Sequence, residues 1–353
     1  MSTQSFDEAH ALLVRGVESR AFPAAVVEVG CRAGVTWRAA AGRLTYDPGS
    51  SACEEGTLFD LASLTKVLVT TTLVMRTVDA RLLTIDQPVS ALIPGWRGND
   101  RADVTVEDLL SHSSGLTAYL PLYVDHRARV DFEATICALP LEYASRSRSM
   151  YSDLGFILLG FMLEDVNRAP LAEQWSVVAN ELDLPDMTFA PSREWPHGIA
   201  PTEVDPWRGR LLVGEVHDEN AWVLGGAAGH AGLFGTASGV GVFARAVLGA
   251  RRGESRLSTT ATMRRFTQLG RVPGSSRALG WDTMLPTSSC GRLMSPQAIG
   301  HTGFTGTSLW IDPARDAYVV LLTNRVHPSR ANNAIIELRR DLHDAIVRNL
   351  PLP

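Results

Sequence analysis

The sequence predicts an α/β (α+β) fold in which an antiparallel sheet, contributed by both ends of the chain, carries flanking helices and a mainly helical part is inserted between its halves. Three observations predict it. Strand-like stretches lie near the start, "AAVVEVGCRAG" and "VTWRAAAGRL", and again in the last third, "ALGWDTM", "GTSLWIDP" and "AYVVLLTN". Between about Leu61 and Val166 the apolar spacing is mostly helical. No internal repeat or low-complexity tail divides the chain. One domain spanning residues 1–353 is therefore expected, with residues 1–60 and 236–353 forming the sheet-containing part. Residues 61–235 would form the mainly helical part and its active-site loops.

The elements follow in order. Residues 6–20 carry apolar positions at helical spacing and predict a first helix. The two N-terminal strands should meet near Gly34. "IPGWRGND" and "LSHSSGL" break the helical middle. The irregular "APSREWPHGIAPTEVDPWRGR" follows, in which Trp195 and Trp207, with Trp222 beyond, read as packing residues. "LGGAAGHAGLFGTASGVGVFARAVLG" is dense in glycine and ends as an amphipathic helix. A last helix covers roughly residues 331–349, with Ile335, Ile336, Leu338, Leu342 and Ile346 on one side.

Composition narrows the function. The net charge is −5 and there is no basic run, so nucleic acid is not an expected partner. The longest apolar stretches are too short or too interrupted to span a bilayer. No basic n-region precedes an apolar h-region at the N-terminus, which predicts a cytoplasmic protein. Cys31, Cys53, Cys137 and Cys290 lie far apart and read as reduced thiols. His217, Asp218, Glu219 and His230 match no zinc spacing, so they read as a polar network bracing loops. No metal or cofactor is expected. The expected partner is a small ester, amide or lactam, and the expected state is a monomer or small homo-oligomer.

Lys66, in "DLASLTKVLVT", is the only lysine in a chain whose other basic residues are all arginine. Arginine stays protonated at any useful pH, whereas a buried lysine can give up its proton. Lys66 follows Ser63 by three residues. In a helix starting near Leu61 the two share a face, with Ser63 in the first turn, where free N–H groups favour developing negative charge. That suits a serine nucleophile with an amine beside it. Ser-x-x-Lys alone is a weak motif and needs partners. "SMYSDLGF" supplies Tyr151 and Asp153: beside an ammonium a tyrosine anion is stabilised and can act as a general base. "IGHTGFTGTSLWIDP" supplies His301, Thr302 and Gly303 opening a strand, with the N–H of Phe304 able to face an oxyanion. His112, in "LLSHSSGL", would fix the loop before Ser114 and Gly115.

Ser63-Leu64-Thr65-Lys66, Tyr151-Ser152-Asp153 and His301-Thr302-Gly303 resemble the three ordered motifs of penicillin-recognising serine enzymes. The tyrosine-led second motif is similar to that of class C β-lactamases, low-molecular-weight D-alanyl-D-alanine peptidases and β-lactamase-like esterases. The resemblance spans roughly residues 10–345 and implies the β-lactamase/transpeptidase-like fold. It implies Ser63 as the acylated nucleophile, Lys66 as its deprotonating partner and the stabiliser of a Tyr151 anion, and Tyr151 as the proton shuttle. The N–H groups of Ser63 and Phe304 would form the oxyanion hole, with Asp153, His301, Thr302 and Gly303 lining the substrate site.

Two positions depart from the common pattern. Asp153 stands where asparagine is frequent and, ionised, can only accept hydrogen bonds. His301 stands where β-lactamases usually have lysine, and would turn cationic only at mildly acidic pH. The implied activity is hydrolysis of an amide or ester, β-lactam-like or D-alanyl-peptide-like, through an acyl-serine. A cytoplasmic carboxylesterase or acyltransferase on the same scaffold, and a sensor that is acylated without turnover, are the competing classes.

Overall fold

The computed structural model describes residues 5–184 and 186–350. Six strands form one antiparallel sheet in the order β2-β1-β11-β10-β9-β8. Strands β1 (Ala24–Cys31) and β2 (Gly34–Gly42) come from the N-terminal end. The others, β8 (Asp282–Thr283), β9 (Ile299–Thr302), β10 (Ser308–Asp312) and β11 (Ala317–Thr323), come from the last third. The two ends join where β1 pairs with β11, from Ala25 opposite Thr323 to Cys31 opposite Ala317. Every residue of β11 is buried, so "AYVVLLT" reads as a continuous apolar run without alternation.

The two faces of the sheet serve two cores. Val27, Val29, Val319 and Leu321 face one, with helices α1 (Asp7–Glu18) and, at the other end of the chain, α10 (Ile335–Val347). Val26, Leu309, Val320 and Leu322 face the other, under α8 (Ala237–Ala250). Each fully buried Val or Leu contributes about 1.5–3 kcal/mol. Helix α10 begins at Ile335, later than its apolar pattern predicts. Its stripe also splits: Ile335, Leu342 and Ile346 are buried, while Ile336 is 54% exposed.

The middle of the chain supplies α2 (Thr72–Asp79), α3 (Val106–Leu110), α4 (Arg129–Ala138), α5 (Asp153–Asn167), α6 (Leu171–Glu181) and α7 (Glu219–Val223); α9 (Thr260–Phe266) follows α8. Small sheets join β3 (Phe59–Asp60) to β7 (Leu233–Gly235) and β4 (Thr188–Phe189), and β5 (Val204–Asp205) to β6 (Arg210–Leu211). Helix α5 is buried from Leu154 to Leu163 and forms a central post. A cavity of about 750 Å³ opens between this helical part and the β8–β9 side of the sheet, with α10 on its far wall.

Candidate active site

Ser63 is set by a tight turn after β3. Ala62 occupies the left-handed region at φ 47°, which is costly for a residue with a Cβ. Its neighbours hold it there. Asp60 Oδ1 accepts the Ala62 N–H at 2.8 Å, and Thr65 Oγ1 donates to the Ala62 carbonyl at 2.7 Å. The chain becomes helical only at Leu64, so Ser63 precedes the helix instead of lying in its first turn. Residues Lys66–Thr71 then run as a π-helical turn before α2.

This start places Lys66 Nζ 2.9 Å from Ser63 Oγ. The ammonium is fully buried and meets two more oxygens, Asp153 Oδ1 at 2.7 Å and the His230 carbonyl at 3.0 Å. Two hydrogen bonds and one ion pair thus hold the ammonium. His230 gets there because its loop presses on α5: a Cβ on Gly229 would stand 2.1 Å from the Phe156 carbonyl oxygen. Thr70 Oγ1 also donates to the Gly229 carbonyl at 2.6 Å. Burial pulls the Lys66 pKa down, but the contacts with Asp153 first and then Tyr151 outweigh it and leave it above the ordinary value. Lys66 is therefore a cation at neutral pH. In this arrangement the ammonium is a charge held beside the Ser63 hydroxyl. What singles out lysine is shape: a planar guanidinium cannot aim three donors at these three oxygens.

Tyr151 precedes α5, which Ser152 caps through its side chain and Asp153 opens. Its ring lies 5.0 Å from Lys66 Nζ and 4.7 Å from the His112 ring. Burial raises the phenol's pKa, Lys66 lowers it, and Asp153 raises it again; the sum is raised. The resting pair is thus a phenol beside an ammonium already neutralised by Asp153. His112, at φ 57°, does more than fix its loop. Its Nδ1 accepts the Ser152 N–H at 3.0 Å, and its carbonyl accepts from Tyr143 Oη at 3.1 Å and the Met150 N–H at 2.9 Å, which sets the backbone on both sides of Tyr151. Burial, Arg277 and Lys66 keep its pKa well below the usual histidine range.

The third motif closes strand β9 instead of opening a strand. Gly303 has no room for a side chain: a Cβ would lie 2.1 Å from Thr307 Oγ1 and 2.5 Å from the Leu61 carbonyl oxygen. The glycine thus seats this turn directly on the backbone before Ser63. Thr305 Oγ1 and Thr307 Oγ1 add hydrogen bonds to the carbonyls of Asp60 and Leu61, at 2.7 and 3.0 Å. Among the described residues, neither the Ser63 N–H nor the Phe304 N–H donates to any group. Two unused donors beside a hydroxyl are what an oxyanion hole requires.

His301 is buried, and its Nδ1–H donates to the Thr302 carbonyl at 2.8 Å, leaving Nε2 without a proton or a partner. Burial, Arg277 and Lys66 hold its pKa well below the usual range. The expected switch to a cation at mildly acidic pH is therefore removed. The wall it shares with Thr302 is neutral.

The acidic–histidine cluster forms an outer shell. His217 Nε2 lies 2.9 Å from Glu203, the His217 backbone N–H donates to Asp60 Oδ2 at 2.7 Å, and its ring stacks on Phe304. His230 Nε2 lies 2.8 Å from Asp218 Oδ1. Arg330 joins Glu203 and Glu219 at 2.6 and 2.7 Å. This network ties the Ser63 turn to the loop that carries Phe304. Trp207 and Trp222 do not line the cavity. They meet edge to face at 5.6 Å, each more than a third exposed. The pocket arginines Arg277, Arg325 and Arg339 escaped the sequence reading, because in a chain so rich in arginine no local pattern marks them.

A serine, an ammonium and a phenol at the seam of an α+β fold, with the Ser63 and Phe304 N–H groups left without acceptors, are the parts of a serine acyl-hydrolase. The β-lactamase family model matches residues 9–343, and the chain belongs to that family. A relative from Salmonella gallinarum named "Putative D-alanyl-D-alanine carboxypeptidase" is 33% identical over 313 residues, covering 78% of this chain and 71% of its own. Among solved structures, EstCE1, "a hydrolase with promiscuous acyltransferase activity", superposes with a TM-score of 0.78 at 19% identity, covering 98% of this chain and 99% of its own. A class C β-lactamase from Rhodobacter sphaeroides gives 0.75 at 20% identity, covering 95% and 98%. The chain is a serine hydrolase of a family that acts on small amides or esters.

Proposed function

We propose that the chain cleaves a small amide or ester through an acyl-Ser63 intermediate, with D-alanyl amides as the first substrate class to test. The observation that carries this reading is the contact of Lys66 Nζ with Ser63 Oγ at 2.9 Å, beside Tyr151 and the two unused N–H groups. The substrate class is supported by the name of the 33% identical relatives.

In the active form Tyr151 is a phenolate, a minority species at neutral pH that grows as pH rises. It takes the Ser63 proton as Oγ bonds to the carbonyl carbon. The new oxyanion lies between the N–H groups of Ser63 and Phe304, and the Lys66 charge stabilises the site throughout. Tyr151 gives its proton to the departing amine or alcohol as the carbon–heteroatom bond breaks. It then takes one from water, whose oxygen displaces Ser63 and releases the acid. Asp153 acts through Lys66 and does not take part in the bond changes.

The test compares steady-state turnover of an acyl-D-alanyl-D-alanine peptide, 4-nitrophenyl acetate and a chromogenic cephalosporin. The expected result is turnover of the peptide or the ester with rates rising from pH 6 to 9. Turnover of none of the three, with intact fold, would overturn the reading. An initial burst without steady turnover would favour an acylated sensor instead.

A further inference from the structure

A second cavity, of about 320 Å³, lies behind the loop that carries His230. Phe161 of α5, Leu171 of α6 and Val223 of α7 line it, and residues 227–229 of the loop close it. A few atoms further along, Ala231 lines the Ser63 cavity instead. One tight turn, in which the Ala228 N–H donates to the Ala231 carbonyl at 3.1 Å, therefore stands between two cavities. The same turn reaches into the site: the Gly229 carbonyl accepts from Thr70 Oγ1 at 2.6 Å and the His230 carbonyl from Lys66 Nζ at 3.0 Å. Its ends are glycines in the left-handed region, Gly226 at φ 90° and Gly232 at φ 120°. They touch, since a Cβ on Gly232 would stand 2.0 Å from the Gly226 carbonyl oxygen. A loop closed at its base on two glycines can shift as one body.

The lining selects the occupant. Phe161, Leu171 and Ala228 are buried, and Val223, Leu224 and Ala227 are half-buried, so the walls are apolar. The charges at the rim are already matched or open to water. Arg129 pairs with Glu164 at 3.3 Å and Asp165 at 2.5 Å. Arg127 is exposed and donates to the carbonyls of Tyr123, Val124 and His126. A charged ligand would lose its hydration here without gaining a counter-charge. The space suits a small molecule: an apolar cavity of about half this volume takes up benzene.

We propose that this second cavity binds a neutral, largely apolar molecule of about ten non-hydrogen atoms, and that the 226–232 loop transmits its occupancy to Lys66. An occupant supplies the contacts that the outer side of the loop lacks and holds the His230 carbonyl on the ammonium, so turnover rises when the cavity is filled. The effect on turnover rests on the acyl-serine reading of Ser63; the binding site does not.

The experiment uses three probes of one shape: 4-ethylbenzyl alcohol, 4-ethylbenzylamine and 4-ethylbenzoate. Calorimetric titration should show the alcohol binding to wild type and to Ser63→Ala alike, with the two charged probes on the order of tenfold weaker or worse. Val223→Phe fills the cavity from the α7 wall, away from the loop, and should abolish that binding with basal turnover retained; Leu224→Phe makes the same test if the first variant does not fold. The site is overturned if the alcohol does not bind, if the charged probes bind as well, or if binding survives the filling variant. Saturating alcohol should raise kcat for 4-nitrophenyl acetate about five- to tenfold in wild type and leave Val223→Phe unchanged. An unchanged kcat overturns the coupling. So does a rise that persists in Val223→Phe, which would be acyl transfer to the alcohol in the Ser63 cavity. Coupling is reciprocal, so Lys66→Met, which frees the His230 carbonyl, should weaken alcohol binding by a similar factor. If no ester is turned over, the acyl-serine reading fails on its own; weaker binding in Lys66→Met would still support the coupling, and unchanged binding would overturn it.

Discussion

Two cations are buried near one cavity, Lys66 behind Ser63 and Arg339 in the α10 wall, and they are treated in opposite ways. Lys66 meets Ser63, Asp153 and His230 within 3.0 Å, so its charge is matched before any substrate arrives. Arg339 meets no acceptor among the described residues and sits beside Arg325. The first charge belongs to the protein's own machinery, where its position matters more than its availability. The second is left open. A buried ion pair contributes little net stability, while an unpaired buried charge is a standing cost.

The largest expected effect breaks the Lys66 side of this comparison. Lys66→Arg keeps the charge but cannot reach three oxygens at once. Activity should fall on the order of 10² to 10⁴-fold with the fold retained, read as kcat/KM alongside circular dichroism. Near-wild-type turnover would show that charge alone suffices and that the three-acceptor geometry is incidental.

A smaller effect sharpens it. Asp153 raises both the Lys66 and the Tyr151 pKa, so removing its charge should lower both. The phenolate then forms at lower pH, and the rising limb of activity moves in the acid direction. For Asp153→Asn, the ratio of the rate at pH 6 to that at pH 8 should rise roughly three- to tenfold over wild type. The groups facing this pair are Tyr151, His112, His301, Arg277, Asp218 and His230, and the profile of His301→Gln serves as a control. An unmoved limb would mean that Asp153 only positions Lys66.

The fold was legible because both ends of the chain carry strand patterns and the middle does not. β1 and β2 meet at Gly34, and α1 follows its apolar spacing closely. The short strand β9 was misplaced because three of its four residues are buried and its last is half-buried, so alternation is lost. The motifs marked Ser63, Lys66 and Tyr151 because their residue types and order are distinctive. Their charge states were not legible. Lys66 stays protonated because of Asp153, 87 residues further on, and His301 stays neutral because of burial and Arg277, none of which local spacing encodes. Arg339 was read past for the same reason: Ile335, Ile336 and Leu342 predict a helix stripe, but not that this stripe ends at a cavity wall.

The acyl-serine claim is tested most directly by intact-protein mass spectrometry during incubation with 4-nitrophenyl acetate, followed by peptide mapping. A transient gain of one acetyl group is expected, located on the peptide containing Ser63, absent in Ser63→Ala, and accumulating in Tyr151→Phe if deacylation slows more than acylation. A stable acetyl group on another residue, or an equal adduct in Ser63→Ala, would contradict it.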